Sequence, residues 1–408
     1  MSGTLRDQTF GIEAGSLQIS NTLVDSIGIL LRATALKDIL HSRRILDFLR
    51  RILTAGEQTP VTEHLRTTQG DELSGHTTHR QTSHSAVPLI GLGGRGGTVL
   101  KKDNDGVWTG TTEGPMDPGF HYYHLTIDGA TVNDPGTGNY FGSCRWESGI
   151  EIPAPDQDFY AERTDIPHGS MQTVKFYSPS LGKMQEATVY LPYGYGQLVD
   201  KKGNPVKEGA KGIQERYSVL YLQHGWGENE TSWPIQGKAG LIMDNLIADG
   251  MIKPFIIVMA YGLTNDFKFG TIGQFTAKEF ETVLIDELIP YIDKNFLTKT
   301  DKWNRAMAGL SMGGMTTKLI TLRRPEVFGY WGLLSGGQYA PEEIKDPTAV
   351  KYIFEGCGSK ENPDGINKSV EALKAAGFNA EGLVSEGTAH EFLTWRRCLE
   401  KMAQSLFK

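Results

Sequence analysis

From residue 170 to the end of the 408-residue chain, short β-like runs alternate with helix-like runs, and few architectures accept that order. The strand candidates are 187–191, 217–223, 255–261, 305–308, 330–334, 351–355 and 382–385, with helices between them. Alternation of this kind builds a mostly parallel sheet covered by helices on both faces, so the fold class is α/β. Residues 280–295 carry Val283, Leu284, Leu288, Ile289 and Ile292, a helical stripe suited to packing on such a sheet.

Upstream the texture differs. Residues 42–52 (SRRILDFLRRI) have helical apolar spacing, but 59–85 is a polar run of Thr, His, Arg, Gln and Ser without periodicity. Residues 1–88 therefore read as an atypical, poorly ordered N-terminal region. Gly91-Leu92-Gly93-Gly94-Arg95-Gly96-Gly97 reads as a flexible linker, because it lacks the following helix and Lys-Ser/Thr pair of a phosphate loop. Alternating segments at 107–111 and 120–127 and a turn at Asp128-Gly129 predict part of a small β-sandwich, ended by Pro135, Gly136 and Gly138. The Pro- and Asp-rich stretch 152–167 reads as an interdomain linker. The expected organisation is 1–88, a partial sandwich with linker over 89–165, and the α/β domain over 166–408, in keeping with roughly 100 to 200 residues per domain.

Gly309-Leu310-Ser311-Met312-Gly313 fits G-x-S-x-G, the sharp strand-to-helix turn whose glycines let the backbone crowd while the serine hydroxyl projects from the sheet edge. Alone the motif is weak. Its context is right, since 305–308 reads as a buried strand and 314–324 as a helix stopped before Pro325. A serine hydroxyl needs a base, and in this kind of fold the chain order is Ser, acid, His. One histidine follows Ser311, His390, in a small-residue loop after the last strand candidate. The acid belongs just beyond the strand between them, where Glu361 and Asp364 both qualify; Asp364 could equally cap a helix over 366–376. A developing oxyanion needs two donors. The amide of Met312 supplies one, and the amide of Trp226, in His224-Gly225-Trp226-Gly227 after an apolar strand, is the candidate for the other. Phe267, Phe269 and Phe275 on the loop 262–275, with Trp226 and Trp233, are candidates to wall a substrate slot.

The run His224 to Trp233, Asp244-Asn245-Leu246-Ile247, the serine motif and Thr388-Ala389-His390-Glu391-Phe392-Leu393-Thr394-Trp395-Arg396-Arg397 resemble esterase D type α/β-hydrolases. Within them the chain is most similar to feruloyl and acetyl-xylan esterases of carbohydrate esterase family 1, over residues 166–408. The resemblance implies a triad acid after a Gly-Cys-Gly strand end, which Gly356-Cys357-Gly358 would place at Glu361, although members often carry Asp there. Phe392 stands where a tryptophan is frequent. Residues 103–135 resemble the second half of the glycogen-binding-like β-sandwich that precedes many such esterases, with no recognisable first half. The resemblance also implies a secreted or periplasmic enzyme, although Met1 to Phe10 lacks the pattern of a signal peptide.

Composition narrows the partners. Hydrophobic residues make up 39% and charged ones 22%, enough for a large core, and a net charge of −7 argues against a nucleic-acid binder. No run approaches the ~18 apolar residues of a membrane span. Cys144, Cys357 and Cys398 are too scattered for a disulfide scaffold or zinc site, and His76, His79 and His84 lack companion ligands, so neither metal nor cofactor is expected. The leading expectation is a serine ester hydrolase releasing ferulate-type hydroxycinnamoyl groups from plant cell-wall arabinoxylan, with feruloylated or acetylated xylan oligosaccharides as partners. The alternatives are an acetyl-xylan esterase, a siderophore trilactone esterase, and a carbohydrate-binding protein on an inactive hydrolase scaffold.

Overall fold

The computed structural model describes residues 76–80, 87–91, 94–102, 104, 107–111, 117–207, 211–264 and 274–408. The expectations for 42–52, most of the polar run 59–85 with His84, Phe267 and Phe269 lie outside these residues, as do the side chains of His76 and His79. The chain divides into two units, one running to Met116 and resuming over Tyr123–Gly136, the other formed by Asp117–Tyr122 and Thr137–Lys408.

The first unit is antiparallel β-structure: β1 (His76–Arg80), β2 (Val87–Gly91), β3 (Gly94–Lys102), β4 (Val107–Thr111), the later part of β5 (Gly119–Ile127) and β6 (Ala130–Val132). Its strands pair in the order β1-β4-β3-β2-β5, with β6 on β5. Leu100, Trp108, Tyr123 and Leu125 are buried, and Tyr123 Oη donates to Asp134 Oδ2 at 2.7 Å. The early strands that the sequence concealed are therefore present, and β1 and β2 begin before the boundary placed at residue 89. Of the glycine run expected to be a linker, Gly91 ends β2 and residues 94–97 open β3, with Gly91 opposite Gly94. Glycine removes the side-chain alternation by which such strands are recognised.

The second unit is the α/β body. Its sheet runs β18-β17-β16-β15-β13-β14-β10-β9, with β9 (Ser170–Ser178), β10 (Lys183–Leu191), β13 (Val219–Gln223), β14 (Ile256–Ala260), β15 (Arg305–Leu310), β16 (Tyr330–Leu334), β17 (Tyr352–Gly358) and β18 (Ala380–Ser385). All pairs from β14 to β18 are parallel; β10 is antiparallel to β14 and to β9. Each candidate strand is found, with β9 added at the edge. β9 escapes sequence reading because most of its first five residues face solvent. A small hairpin of β11 (Leu198–Val199) and β12 (Ile213–Gln214) stands apart from the sheet.

Alternation within each strand feeds two cores. Val219 and Tyr221 pack on one face, with Ile320 of α3 (Met312–Arg323), Ile366, Val370 and Leu373 of α4 (Pro363–Ala375), and Phe280, Leu284, Leu288 and Ile292 of α2 (residues 278–295). Leu220 and Leu222 pack on the other, with Ile242 and Met243 of α1 (Ala239–Ala248) and Leu393, Cys398, Leu399 and Met402 of α5 (Phe392–Ala403). Each large side chain so buried contributes roughly 1.5–3 kcal/mol. α2 widens to π-helical geometry over Val283–Leu288, just where Pro290, lacking an N–H, interrupts the regular ladder.

The stretch 152–167, expected as an interdomain linker, is preceded by a hairpin and packs through Tyr160. β7 (Asn139–Gly142) and β8 (Arg145–Ile152) make a hairpin, and Tyr160 is buried in the second core. The fully buried Arg396 guanidinium takes both oxygens of Glu151 at 2.6 and 2.9 Å, donates to the Gln236 carbonyl and lies 4.5 Å from the Tyr160 ring. Asn245 Nδ2 donates to the carbonyls of Asp158, Phe159 and Ala161, while Asp244 accepts from Gly169 N, Tyr190 Oη and His168. Asp244 and Asn245 thus hold this segment against α1. Strand order reverses where β14 goes to one side of β13 and β15 to the other, and open α/β sheets bind ligands beyond the carboxyl ends of strands at such a point.

Candidate active site

Ser311 lies at this switch point, in the turn from β15 into α3, with φ 51° and ψ −117°. A non-glycine residue there costs about 1–3 kcal/mol, and the turn is held by Ser311 N–H donating to the Leu334 carbonyl at 2.8 Å. Position 313 must be glycine, because a Cβ would stand 2.5 Å from the His224 carbonyl oxygen. That close approach presses the first turn of α3 against the loop after β13.

His390, in the loop between β18 and α5, reaches back over the sheet edge. Its Nε2 is 2.8 Å from Ser311 Oγ and its Nδ1 2.7 Å from Glu361 Oε2. With a carboxylate on Nδ1, that nitrogen carries the proton and Nε2 accepts from the serine. Glu361 follows β17, and its other oxygen accepts from Gly358 N at 2.8 Å and from Ser335 Oγ at 2.7 Å. Burial pushes the Glu361 carboxyl up, but the hydrogen bonds from His390, Gly358 and Ser335 outweigh it and hold the group below the usual glutamate range. Asp364 lies in the first turn of α4, and the cap of that helix is Asn362, whose side chain accepts from Gly365 N. The structure thus brings Glu361 to His390 and leaves Asp364 as neither acid nor cap.

Ser335 was not singled out from the sequence. It follows β16 with φ 50°, accepts from Trp395 Nε1 at 3.0 Å and donates to Glu361, while the Trp395 ring meets the His390 ring edge-on with centroids 5.1 Å apart. Nothing local marks a serine in Leu334-Ser335-Gly336-Gly337 as a partner of a glutamate 26 positions on.

The loop after β13 supplies the other side. A Cβ on Gly225 would come within 3.5 Å of Ser311 Cβ, so the loop lies directly over the serine. The Gly225 amide donates to Glu228 Oε2 at 2.9 Å and is thereby committed, whereas the candidate donors are the amide of Trp226 and that of Met312, the first residue of α3, which has no intrahelical acceptor. His224 is structural: Nδ1 donates to the Gly225 carbonyl at 2.7 Å, Nε2 accepts from Gly262 N at 2.9 Å, and burial pulls it down to about 4, so it stays neutral. Burial pushes Glu228 up to about 8.

The expected substrate wall is only partly present. Trp226 is half-buried on the loop. Trp233 is buried, its Nε1 donating to the Gln223 carbonyl at 2.9 Å, and Phe275 is buried in the core; both are packing residues, because a face closed by neighbouring side chains has none left for a ligand. Beside the loop lies a cavity of about 310 Å³ whose lining includes Phe141, Lys183, Glu186, Asn229, Glu230 and Tyr261. Among the described residues no cluster of His, Cys, Asp or Glu could hold a metal ion, and no helix is long and apolar enough to cross a membrane.

Comparison with known proteins gives this geometry a context. Residues 178–343 match the family described as "Putative esterase". An endo-1,4-beta-xylanase/feruloyl esterase of Xylanibacter ruminicola is 82% identical over 79% of the chain; the chain spans 43% of that relative's length. A ferulic acid esterase from Anaeromyces mucronatus has the same fold at 20% identity, with a TM-score of 0.50 over 62% of this chain and 96% of that one. The enterobactin esterase of Shigella flexneri superposes with a TM-score of 0.55 at 15% identity, covering 83% of this chain and 95% of that one. The shared architecture is the α/β-hydrolase fold.

Proposed function

We propose, from the match of residues 178–343 to the esterase family and from the geometry of the site, that the chain is a serine carboxylic ester hydrolase releasing hydroxycinnamoyl groups, ferulate above all, from arabinoxylan. One observation carries the chemistry: Ser311 Oγ, His390 and Glu361 stand in a line of 2.8 and 2.7 Å contacts over the switch point of the sheet. His390 Nε2 takes the proton as Ser311 Oγ attacks the ester carbonyl, and the oxyanion forms against the amides of Trp226 and Met312. The imidazolium, stabilised by Glu361, gives that proton to the departing sugar hydroxyl and leaves an acyl-serine. Water, deprotonated by His390, then attacks the acyl carbon; the acid leaves and the proton returns to Ser311.

The choice of acyl group is supported by the 82% identical relative named as a feruloyl esterase. A siderophore trilactone is strongly anionic and calls for a basic site, whereas Glu186 and Glu230 accompany Lys183 in the cavity beside the loop. Cell-wall polysaccharide does not cross membranes, so this function carries with it a location outside the cytoplasm. The test is hydrolysis of methyl ferulate, acetylated xylan and a catecholate trilactone by wild type and Ser311→Ala. The expected result is preference for methyl ferulate, abolished in Ser311→Ala; acetylated xylan preferred with no aromatic ester cleaved would overturn the acyl assignment, and turnover by Ser311→Ala above about a tenth of wild type would overturn the nucleophile.

A further inference from the structure

The hairpin β7–β8 precedes the strands of the α/β sheet, yet its tip is bonded to the loop over Ser311. Ser143 and Cys144 both have positive φ, 49° and 63°, the tight two-residue turn that matches strand twist. Cys144 N–H donates to the Gly227 carbonyl at 2.8 Å, and Gly227, at φ 74°, could carry no side chain, since its Cβ would fall 2.8 Å from Ser143 Cα. The hairpin is thus pinned to the same short loop that bears Trp226.

Phe141 and Trp146 are register partners across this hairpin and share one face, their rings edge-on at 5.5 Å. Trp146 leaves 54% of its surface to solvent, unusual for the largest apolar side chain, and Phe141 forms part of the cavity beside the loop. The lining of the same cavity includes Tyr261, whose ring stacks on His224, together with Asn229 and Glu230. An open aromatic face next to amide and carboxylate acceptors suits a pyranose, which has an apolar C–H face and a rim of hydroxyls. It suits a flat hydroxycinnamoyl ring less, because that group gains from a closed apolar slot rather than a wet, polar-rimmed one.

We propose that the face of Phe141 and Trp146 with the adjoining cavity is a xylan subsite, holding one or two xylose units of the polysaccharide on the alcohol side of the ester. The proposal rests on the esterase function above and adds the place where the sugar binds. Trp146 lies two positions after Cys144, a step of about 7 Å, so the platform begins within a few sugar-ring lengths of the loop that covers Ser311. A feruloyl group borne on an arabinose branch needs a backbone subsite at a distance of that order.

The test uses the whole chain with Trp146→Ala and Trp146→Tyr. For a feruloylated arabinoxylo-oligosaccharide, Trp146→Ala should raise KM about five- to tenfold with kcat little changed, Trp146→Tyr should restore most of the loss, and kcat/KM for methyl ferulate should not move. Independently of any hydrolysis, retardation of the wild type in a native gel containing unesterified arabinoxylan should be lost in Trp146→Ala. That second measurement separates the two claims: a chain inactive on ferulate esters but retarded through Trp146 would refute the feruloyl assignment and keep the subsite. An equal loss on methyl ferulate and on the oligosaccharide, or retardation unchanged in Trp146→Ala, would overturn the subsite. An unchanged thermal midpoint, expected for a half-exposed side chain, excludes misfolding as the cause.

Discussion

Replacing Glu361 by Gln keeps size and shape but turns one of its two terminal atoms into a donor and removes the charge. Oε1 accepts from both Gly358 N–H and Ser335 Oγ–H, so the amide oxygen must occupy that place. The NH2 group is then turned toward His390 Nδ1, which must become the acceptor and shift the ring proton to Nε2, facing Ser311. The imidazole can no longer take the serine proton. The lost charge adds to this: an imidazolium and a carboxylate about 4 Å apart attract by about 4 kcal/mol at an effective dielectric of about 20. Because the His390 side chain is 48% exposed, screening reduces that to about 2 kcal/mol. Reversing the tautomer against a fixed hydrogen bond costs about 1–3 kcal/mol more. The sum, about 4 kcal/mol, is about a thousandfold in kcat. Single-turnover or steady-state kcat on methyl ferulate, with chemistry limiting, measures it, and Asp364→Asn serves as the control with kcat unchanged. Glu361→Gln retaining more than about a tenth of wild-type kcat, or Asp364→Asn suffering the larger loss, would refute the reasoning.

Ser335→Ala removes one of the two donors on Glu361 Oε1 and the acceptor of Trp395 Nε1, so kcat should fall about tenfold with KM unchanged; no loss would show that Gly358 alone orients the carboxylate. Glu228 is pushed from an ordinary 4.5 up to about 8, so between these values the folded chain keeps a proton that the unfolded chain releases. Stability then falls as pH rises through that window, by at most about 1.4 kcal/mol per pH unit, and Glu228→Gln should flatten the slope; urea unfolding at several pH values that gives parallel slopes for the two chains would exclude the buried acid. Glu151→Ala leaves the buried Arg396 guanidinium without its carboxylate and should cost about 3 kcal/mol in urea unfolding, whereas a loss under about 1 kcal/mol would mean that the Gln236 carbonyl suffices.

The sequence by itself determined the fold class, the strands of the parallel sheet, the serine turn and its histidine. Each of these is written locally, in apolar periodicity or in the pairing of a nucleophile with glycines that its turn requires. Glu361 and Asp364 are equivalent in a sequence, three residues apart in the same loop; only the packed β17–α4 junction turns one toward His390 and leaves the other in the first turn of a helix. Trp233 and Phe275 looked like pocket walls because aromatic residues near a nucleophile always do, and burial alone decided that they pack the interior. The same holds in reverse for Ser335, Trp395 and the hairpin bearing Phe141 and Trp146, whose partners lie tens of residues away or more. A hydrogen bond or a ring face is a relation between distant parts of the chain, and periodicity, which records only whether a side chain faces inward, carries no record of what it meets there.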